Sequence, residues 1–440
     1  MAAEALRCLV TGATGYIGGR LVPRLLESGF EVRALARNPD KLAAVPWRDR
    51  IEVAKGDLSD AGSLRSAFDD VDVVYYLVHS MGFEKDFATE ERRAAQNVVA
   101  AARRAGVRRI VYLSGLHPEG TELSTHLGSR TTVGEILIAS GIETVVLQAG
   151  VVVGSGSASF EMIRHLTDRL PVMTTPKWVH NKIQPIAIRD VLHYLVAAAT
   201  CPVPESRTWD IGGPDVLEYG DMMQISAEGG GRRPRRILVL PVLPPRIAAL
   251  WVGLVTPIPS GLARPLVESL HCDAGMNNHD IDTIIPPPGG GLTPYRRAVS
   301  LALARISRGE VETTWNTGTA AHLPSDPEWA GEVVYTDTRS RHTTASPEQL
   351  WKALESSVPQ HWRVEDRDPG RTLKLRAERR GPGDRWLEMH ITPEGTGSRY
   401  EQRAIFYPRG LVGRLYWYAG RPWQAVALDR RVKKVTSAVR

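Results

Sequence analysis

Cysteine is scarce in this chain of 440 residues: Cys8, Cys201 and Cys272 stand far apart and form no Cys-x-x-Cys pair. A disulfide framework or a cysteine-ligated metal site needs paired or closely spaced thiols, so neither is expected, and no metal is assigned. Long apolar runs are lacking too. The most apolar stretch, Ile247 to Ile258, is interrupted by Pro257 and is too short to span a bilayer. No charged segment followed by an apolar one precedes the first strand-like run, so a cytoplasmic location is expected. Internal repeats and low-complexity tracts are absent, which argues against collagen-like and disordered chains. Nor does one sign of charge dominate: 55 Lys+Arg against 49 Asp+Glu leave a net charge of +6. That excess is concentrated late, with 21 basic and 13 acidic residues from Ala330 onward. A basic tail suits anionic ligands, lipid surfaces or nucleic acid, or is simply a solvated surface.

What is present is an ordinary globular balance, 42% hydrophobic and 24% charged. At ~150 residues per domain, the length predicts two or three domains. Through the first two-thirds, short apolar runs alternate with amphipathic helical patterns, the signature of a doubly wound parallel α/β sheet. Strands are predicted at Arg7–Thr11, Glu31–Ala36, Ile51–Ala54, Val71–Val78, Arg109–Leu113 and Thr144–Val153. Helices are predicted at Gly19–Ser28, near Ala61–Phe68, at Glu84–Ala105, up to Ser140, at Ile186–Thr200 and at Tyr295–Ile306. The proline-rich stretch 234–262 predicts broken helices and loops. Residues 1–305 thus form the first domain, with a substrate-side part at about 176–290, and 306–330 a linker. Residues 331–440 read as a smaller α+β domain of antiparallel hairpins closed by a long helix, Leu411–Ser437.

The strongest chemical signal is Thr11-Gly12-Ala13-Thr14-Gly15-Tyr16-Ile17-Gly18. It follows a strand and opens a helix, the context in which Gly12, Gly15 and Gly18 let backbone approach a pyrophosphate at a helix N-terminus. Thr14, Tyr16 and Ile17 line the same loop. An Asp or Glu ~20 residues beyond the glycines ordinarily holds the ribose diol of NAD. Here the second strand ends in Ala36-Arg37-Asn38. Arg37, 19 residues after Gly18, suits a 2′-phosphate, which predicts NADP(H) in preference to NAD(H). Asp57 and Leu58, past the third strand, belong beside the adenine. His79, past the fourth, belongs at the nicotinamide end of the cleft.

Residues 5 to about 305 resemble the short-chain dehydrogenase/reductase superfamily, in its atypical, NmrA-like or extended branch with a Rossmann nucleotide fold. The resemblance is carried by the glycine loop, Gly56-Asp57-Leu58, Ile110-Val-Tyr-Leu-Ser-Gly115, Gln184-Pro-Ile-Ala-Ile-Arg-Asp190 and Trp209-Asp-Ile-Gly-Gly-Pro214. It implies Ser114 as the active-site serine. Typical members add a Tyr followed four residues later by a Lys. By position this chain has His126 and Arg130 instead. His126, with an ordinary pKa of ~6.5, reads as a general acid or base, with Arg130 holding ribose hydroxyls. Alternatively, both belong to a site that binds dinucleotide without turnover. His180 and Asn181 fall where members of this branch contact substrate.

Residues 331–440 are similar to the polyketide-cyclase/START-like helix-grip superfamily, through the order of elements and the segment Pro408–Tyr418. That resemblance implies an apolar cavity, with Leu411, Leu415, Tyr418 and Trp423 lining it or merely packing the helix. The basic and aromatic composition of the last helix also suits peripheral contact with a membrane. No recognition motif accompanies the basic residues, so nucleic acid is not an expected partner. The expectation is an NADP(H)-dependent oxidoreductase acting on a carbonyl or activated double bond of a hydrophobic small molecule. The alternative is a non-catalytic NADP(H)-binding sensor or a lipid- or quinone-associated scaffold. Oligomeric state is not legible.

Overall fold

The computed structural model describes residues 5–43, 45–78, 87–118, 120, 123–240, 256, 270, 272–307, 335–358, 361–378, 381–395, 397–408 and 410–437. The chain divides into two compact units, residues 1–331 and 332–440.

In the first unit, β1 (Arg7–Thr11), β2 (Glu31–Ala36), β3 (Glu52–Lys55), β4 (Val73–Tyr76), β5 (Arg109–Gly115) and β6 (Glu143–Ala149) join the strand Arg207–Ile211 in one parallel sheet. Its spatial order is Arg207–Ile211, β6, β5, β4, β1, β2, β3. The direction of winding reverses beside β1, and a parallel sheet opens a crevice at such a switch point, beyond the carboxyl ends of its strands. Helices cover both faces, which is why β1 and β4 are apolar at successive positions rather than alternately. On one face, α1 (Tyr16–Glu27) buries Leu21, Val22 and Leu25 against Val10 and Val111, and α5 (Ile188–Ala197) buries Val191 and Leu195 there too. On the other, α2 (Phe87–Ala105) and α3 (Thr125–Ile138) bury Val98, Val133 and Leu137 against Leu9, Val74 and Ile110. Each such aliphatic side chain contributes ~1.5–3 kcal/mol by leaving water.

A smaller layer contains α4 (Ala158–Arg169), α6 (Tyr219–Gly229) and the helix Tyr295–Ser307, around Phe160, Ile163, Met222 and Tyr295. Buried Asp190 accepts from the Thr293 amide at 2.7 Å and its hydroxyl at 3.1 Å, tying the returning chain to α5.

Several predicted elements are corrected. The expected helix near Ala61–Phe68 is two short 3₁₀ turns, Ala61–Leu64 and Ser66–Phe68. The expected strand Thr144–Val153 breaks after Ala149 and resumes as Val152–Val153, which leaves the main sheet to pair with Ile186–Ala187; at the break the Gln184 carbonyl passes within 2.6 Å of where a Gly150 Cβ would stand. Within the stretch expected to be helical or loop, Arg236–Val239 is a strand parallel to Val172–Thr175. The linker positions 308–330 lie outside the described residues.

The second unit is a five-stranded antiparallel sheet ordered Tyr335–Thr343, Gly397–Pro408, Gly383–Glu394, Thr372–Ala377, Trp362–Asp368. The last strand was not predicted. It is a charged edge with a bulge between Val364 and Asp366, so no apolar alternation marks it. Leu350, Leu354, Leu387, Met389, Tyr400, Val432 and Val435 form the core. The long helix Gly410–Ser437 fastens to the sheet through Trp417, which stacks on Phe406 at 5.5 Å and on Tyr335 at 5.6 Å. Cavity-lining roles for Leu415 and Trp423 are overturned: they are 59% and 80% exposed, on the face away from Trp417, Val432 and Val435. Tyr418 does line a groove, its ring 5.5 Å from that of Tyr335 and beside Trp417. The Leu411 side chain lies outside the described residues. Among the described residues no helix is long and apolar enough to cross a membrane.

Candidate functional site

At the switch point, Thr11 donates its hydroxyl to the Tyr75 carbonyl at 3.0 Å and accepts from the Leu77 amide at 3.2 Å, clasping β1 to β4. The chain then turns at Gly12, whose φ of +77° is a conformation that glycine adopts without a steric penalty. The Gly15 amide donates to the Gly12 carbonyl at 2.9 Å, and Gly15 caps α1 with no side chain of its own. A Cβ on Gly18 would stand 2.3 Å from the Gly12 carbonyl oxygen, one on Gly12 3.0 Å from that of Leu77, and one on Gly15 3.2 Å from Gly12 again. The cradle is therefore wound as tightly as backbone allows, with a helix N-terminus behind it. That is the donor geometry a diphosphate requires. Thr14, Tyr16 and Ile17 are half-buried along it.

A clasp not foreseen from sequence completes this wall. Arg20, one turn after Tyr16, is buried, holds its guanidinium 4.9 Å from the Tyr16 ring, and donates to the Ser155 carbonyl at 2.8 Å. Gly154 packs beside the Tyr16 hydroxyl, where a Cβ would lie within 2.4 Å. The available signal was a cation on the apolar face of α1.

Arg37 follows β2 and is exposed, and Asp57 follows β3. The Asp57 carboxylate accepts from the Ser59 amide at 2.9 Å and its hydroxyl at 2.8 Å. The amide bond chiefly, with that hydroxyl and the charges of Arg37 and Arg93, holds the carboxyl below its usual range against the opposing effect of burial. Arg93 comes from α2 and was not singled out in the sequence. Leu58 is buried, and its carbonyl accepts from the Asn97 amide at 2.8 Å. His79 lies outside the described residues.

Ser114 lies at the carboxyl end of β5, 3% exposed and opposite Gln148 of β6. α3 is capped by Ser124, which accepts from the Leu127 amide at 3.3 Å. His126 sits in its first turn, half-buried, and burial followed by repulsion from Arg130 pushes its pKa down to about 4. Arg130, one turn on, donates from Nη2 to the Leu113 carbonyl at 2.6 Å, so its guanidinium is directed to the end of β5. Tyr112 donates to the Arg130 carbonyl at 3.3 Å, and burial raises its pKa although Arg130 and Ser114 oppose the shift. Beneath α3, Ser129 donates to the buried carboxylate of Glu91.

One histidine at this strand edge was missed. His117 Nε2 lies 3.1 Å from the Gln148 side-chain nitrogen and 3.2 Å from the Thr131 hydroxyl, and Nδ1 lies 3.3 Å from the Pro118 carbonyl. An amide nitrogen only donates, so in this arrangement Nε2 is the acceptor and Nδ1 carries the proton. Its place two residues past β5 was the signal. Farther off, His180 Nδ1 is 2.9 Å from Glu218, and Asn181 donates to the Leu270 carbonyl at 2.7 Å. Among the described residues no cluster of His, Cys, Asp and Glu is placed to hold a metal ion.

A family described as NAD(P)H-binding matches residues 12–151, and one described as a protein of unknown function (DUF2867) matches residues 357–427. The (4-alkanoyl-5-oxo-2,5-dihydrofuran-3-yl)methyl phosphate reductase of Streptomyces griseus is 30% identical over 297 residues, 66% of this chain and 95% of that protein. The 3 beta-hydroxysteroid dehydrogenase/Delta 5-->4-isomerase of Mycobacterium tuberculosis is 36% identical over 123 residues, 25% of this chain. This chain spans 32%, about a third, of that relative's length. Among solved structures, the Citrobacter triphenylmethane reductase complexed with NADP(H) superposes with a TM-score of 0.53 at 21% identity, over 68% of this chain and 100% of that one. The fold and cradle define a nucleotide-binding α/β protein. The chain belongs to the NAD(P)H-binding oxidoreductases of the short-chain dehydrogenase/reductase type.

Proposed function

We propose that this chain is an NADP(H)-dependent oxidoreductase that reduces a carbonyl or activated double bond of a hydrophobic small molecule in the cytoplasm. The observation that carries the reading is the glycine cradle at 12–18 with Arg37, rather than a carboxylate, at the end of β2. Gly12, Gly15, Gly18 and the first amides of α1 would hold the diphosphate. Arg37 would pair with a 2′-phosphate, and Asp57 and Leu58 would flank the adenine. The bound dinucleotide supplies the hydride. Ser114 orients the substrate oxygen, and His126 carries the proton. Relatives named as steroid dehydrogenase, cinnamoyl-CoA reductase and dihydrofuran phosphate reductase support a carbonyl or conjugated substrate.

In the second unit, the long helix against an antiparallel sheet supports a helix-grip, START-like assignment. A groove of about 370 Å³ between Tyr335–Thr343 and the helix, lined by Asp337, Arg339, Trp417 and Arg421, is its candidate ligand site.

One observation favours a second reading, dinucleotide binding without turnover: the Arg130 guanidinium is engaged by the Leu113 carbonyl. Calorimetry with NADPH and NADH, alongside NADPH consumption over quinones, enones and aldehydes, separates the two. Tight NADPH binding with turnover of a panel member supports the enzyme. Tight binding with no turnover supports the sensor, and no binding of either nucleotide overturns both.

A further inference from the structure

The long C-terminal helix has an outward face that the proposed oxidoreductase chemistry does not use. Leu415, Tyr416, Trp423 and Val426 lie on it, 59%, 42%, 80% and 48% exposed, with exposed Ala419 and Ala427 between them. At 3.6 residues per turn these positions fall on one side, opposite the buried Trp417, Val432 and Val435. Scattered exposed apolar residues are ordinary in folded proteins, but a contiguous stripe led by a tryptophan is not.

The same side becomes basic farther along. Arg430, Lys433 and Lys434 are exposed two to three turns beyond Trp423. From Gly410 to Ser437 the helix has six Lys and Arg residues and a single acidic one, Asp429. Lys433 Nζ lies 2.7 Å from that carboxylate, and both groups remain more than half exposed. The solvent side of this helix is thus an apolar aromatic strip continuous with a cationic one.

We infer that this face docks on an anionic phospholipid surface. The strip has the chemistry of the two layers it would meet. Trp423 and Tyr416 are amphipathic rings suited to the headgroup boundary, Leu415 and Val426 reach the acyl edge, and the cations meet phosphates. The helix lies along the surface rather than through it, since it is not apolar enough to span. Charge complementarity selects lipid over a second copy of the chain, because two such basic faces repel one another. It also fits a hydrophobic substrate that partitions into bilayers.

The test is sedimentation of the full-length protein with vesicles of mixed phosphatidylcholine and phosphatidylglycerol, against pure phosphatidylcholine. Wild type should bind the anionic vesicles, and added salt should weaken binding. The double variant L415S/W423S should bind at least about tenfold more weakly, from the apolar area it withholds from the bilayer. R430Q/K434Q should lose about fivefold for each charge removed. Both variants alter exposed positions, so unchanged thermal unfolding and NADPH affinity would show that the fold is intact. Failure of wild type to sediment with anionic vesicles overturns the inference. So does binding that L415S/W423S leaves intact, retention on heparin without vesicle binding, or a dimer that dissociates in L415S/W423S while vesicles are ignored.

Discussion

Gly18→Ala tests the cradle at its tightest point. The added methyl would meet the Gly12 carbonyl oxygen at 2.3 Å, the Gly12 carbonyl carbon at 2.8 Å and the Ala13 Cα at 2.9 Å. All three are backbone atoms of the same loop, so no side-chain rotation relieves the overlap. Either α1 moves away from the loop or the loop unwinds. Overpacking of this kind costs ~1–3 kcal/mol. For a unit of this size that lowers Tm by roughly 2–12 °C, at ~2–4 °C per kcal/mol. Affinity for dinucleotide should fall further than stability, by about tenfold to a hundredfold, because the strained atoms are those that shape the diphosphate site. Gly128→Ala is the matched control. It lies within α3 with no atom within 4 Å of the added Cβ, so it should leave binding alone and stabilise the helix by up to ~1 kcal/mol. Calorimetric titration with NADPH and a thermal melt of each variant suffice. Wild-type affinity and Tm in Gly18→Ala would refute the account of the loop.

Arg37→Glu should weaken NADPH by about tenfold to a hundredfold, the worth of a charge-assisted hydrogen bond, and leave NADH nearly unchanged. Parallel titrations check it, and equal losses for both nucleotides would remove Arg37 from the 2′-phosphate. His126 has a folded pKa of about 4, below its ordinary ~6.5, so the unfolded chain takes up the proton first as pH falls. Its contribution is therefore complete above ~6.5 and lost as pH drops towards 4, by at most ~3 kcal/mol. Melts over that window should show wild type losing stability relative to His126→Gln as pH falls, and parallel curves would contradict the shift. Arg109, buried, donates to the Ala198 and Cys201 carbonyls at 2.7 Å and to Glu143 at 2.6 Å. Arg109→Met leaves two carbonyls without that donor and should cost about 2–4 kcal/mol in denaturant titration, with Lys restoring only part.

The parallel sheet and its first crossover were legible because their causes are local. Successive apolar residues at Cys8, Leu9 and Val10 mark a strand covered on both faces, and Gly12 and Gly18 stand where neighbouring backbone leaves no room for a side chain. The positions of Arg37 and Asp57 were legible for a related reason, since carboxyl ends of parallel strands converge on one edge. What escaped depends on residues far apart in sequence. Arg20 meets Ser155, 135 positions away, and Asp190 meets Thr293, 103 positions away. No periodicity encodes such pairs. The Arg236–Val239 strand exists only because Val172–Thr175 offers it an edge, and local composition gave no hint of that partner. On the last helix, apolar residues at helical spacing were assigned inward. Trp417, braced by Phe406 and Tyr335, instead fixes which face turns to the sheet.

The proton inventory narrows the chemistry further. Tyr112, raised by burial, does not ionise at neutral pH and gives its hydroxyl hydrogen to the Arg130 carbonyl. Of the groups proposed for the reaction, His126 is then the proton carrier, and with its pKa pushed down to about 4 it is mostly neutral at pH 7. An acid so rarely charged serves poorly where the proton must arrive together with the hydride, as for a simple aliphatic aldehyde. It matters much less where hydride addition leaves a stabilised anion, an enolate or a hydroquinone monoanion, that solvent protonates afterwards. If His126 is the proton carrier as proposed, the site favours conjugated acceptors. Quinones and enones should be turned over with higher kcat than saturated aldehydes, and should lose less than aldehydes do in His126→Gln. Equal rates on aliphatic aldehydes, abolished in that variant, would mean that the bound substrate raises the imidazole pKa and that this ranking is wrong.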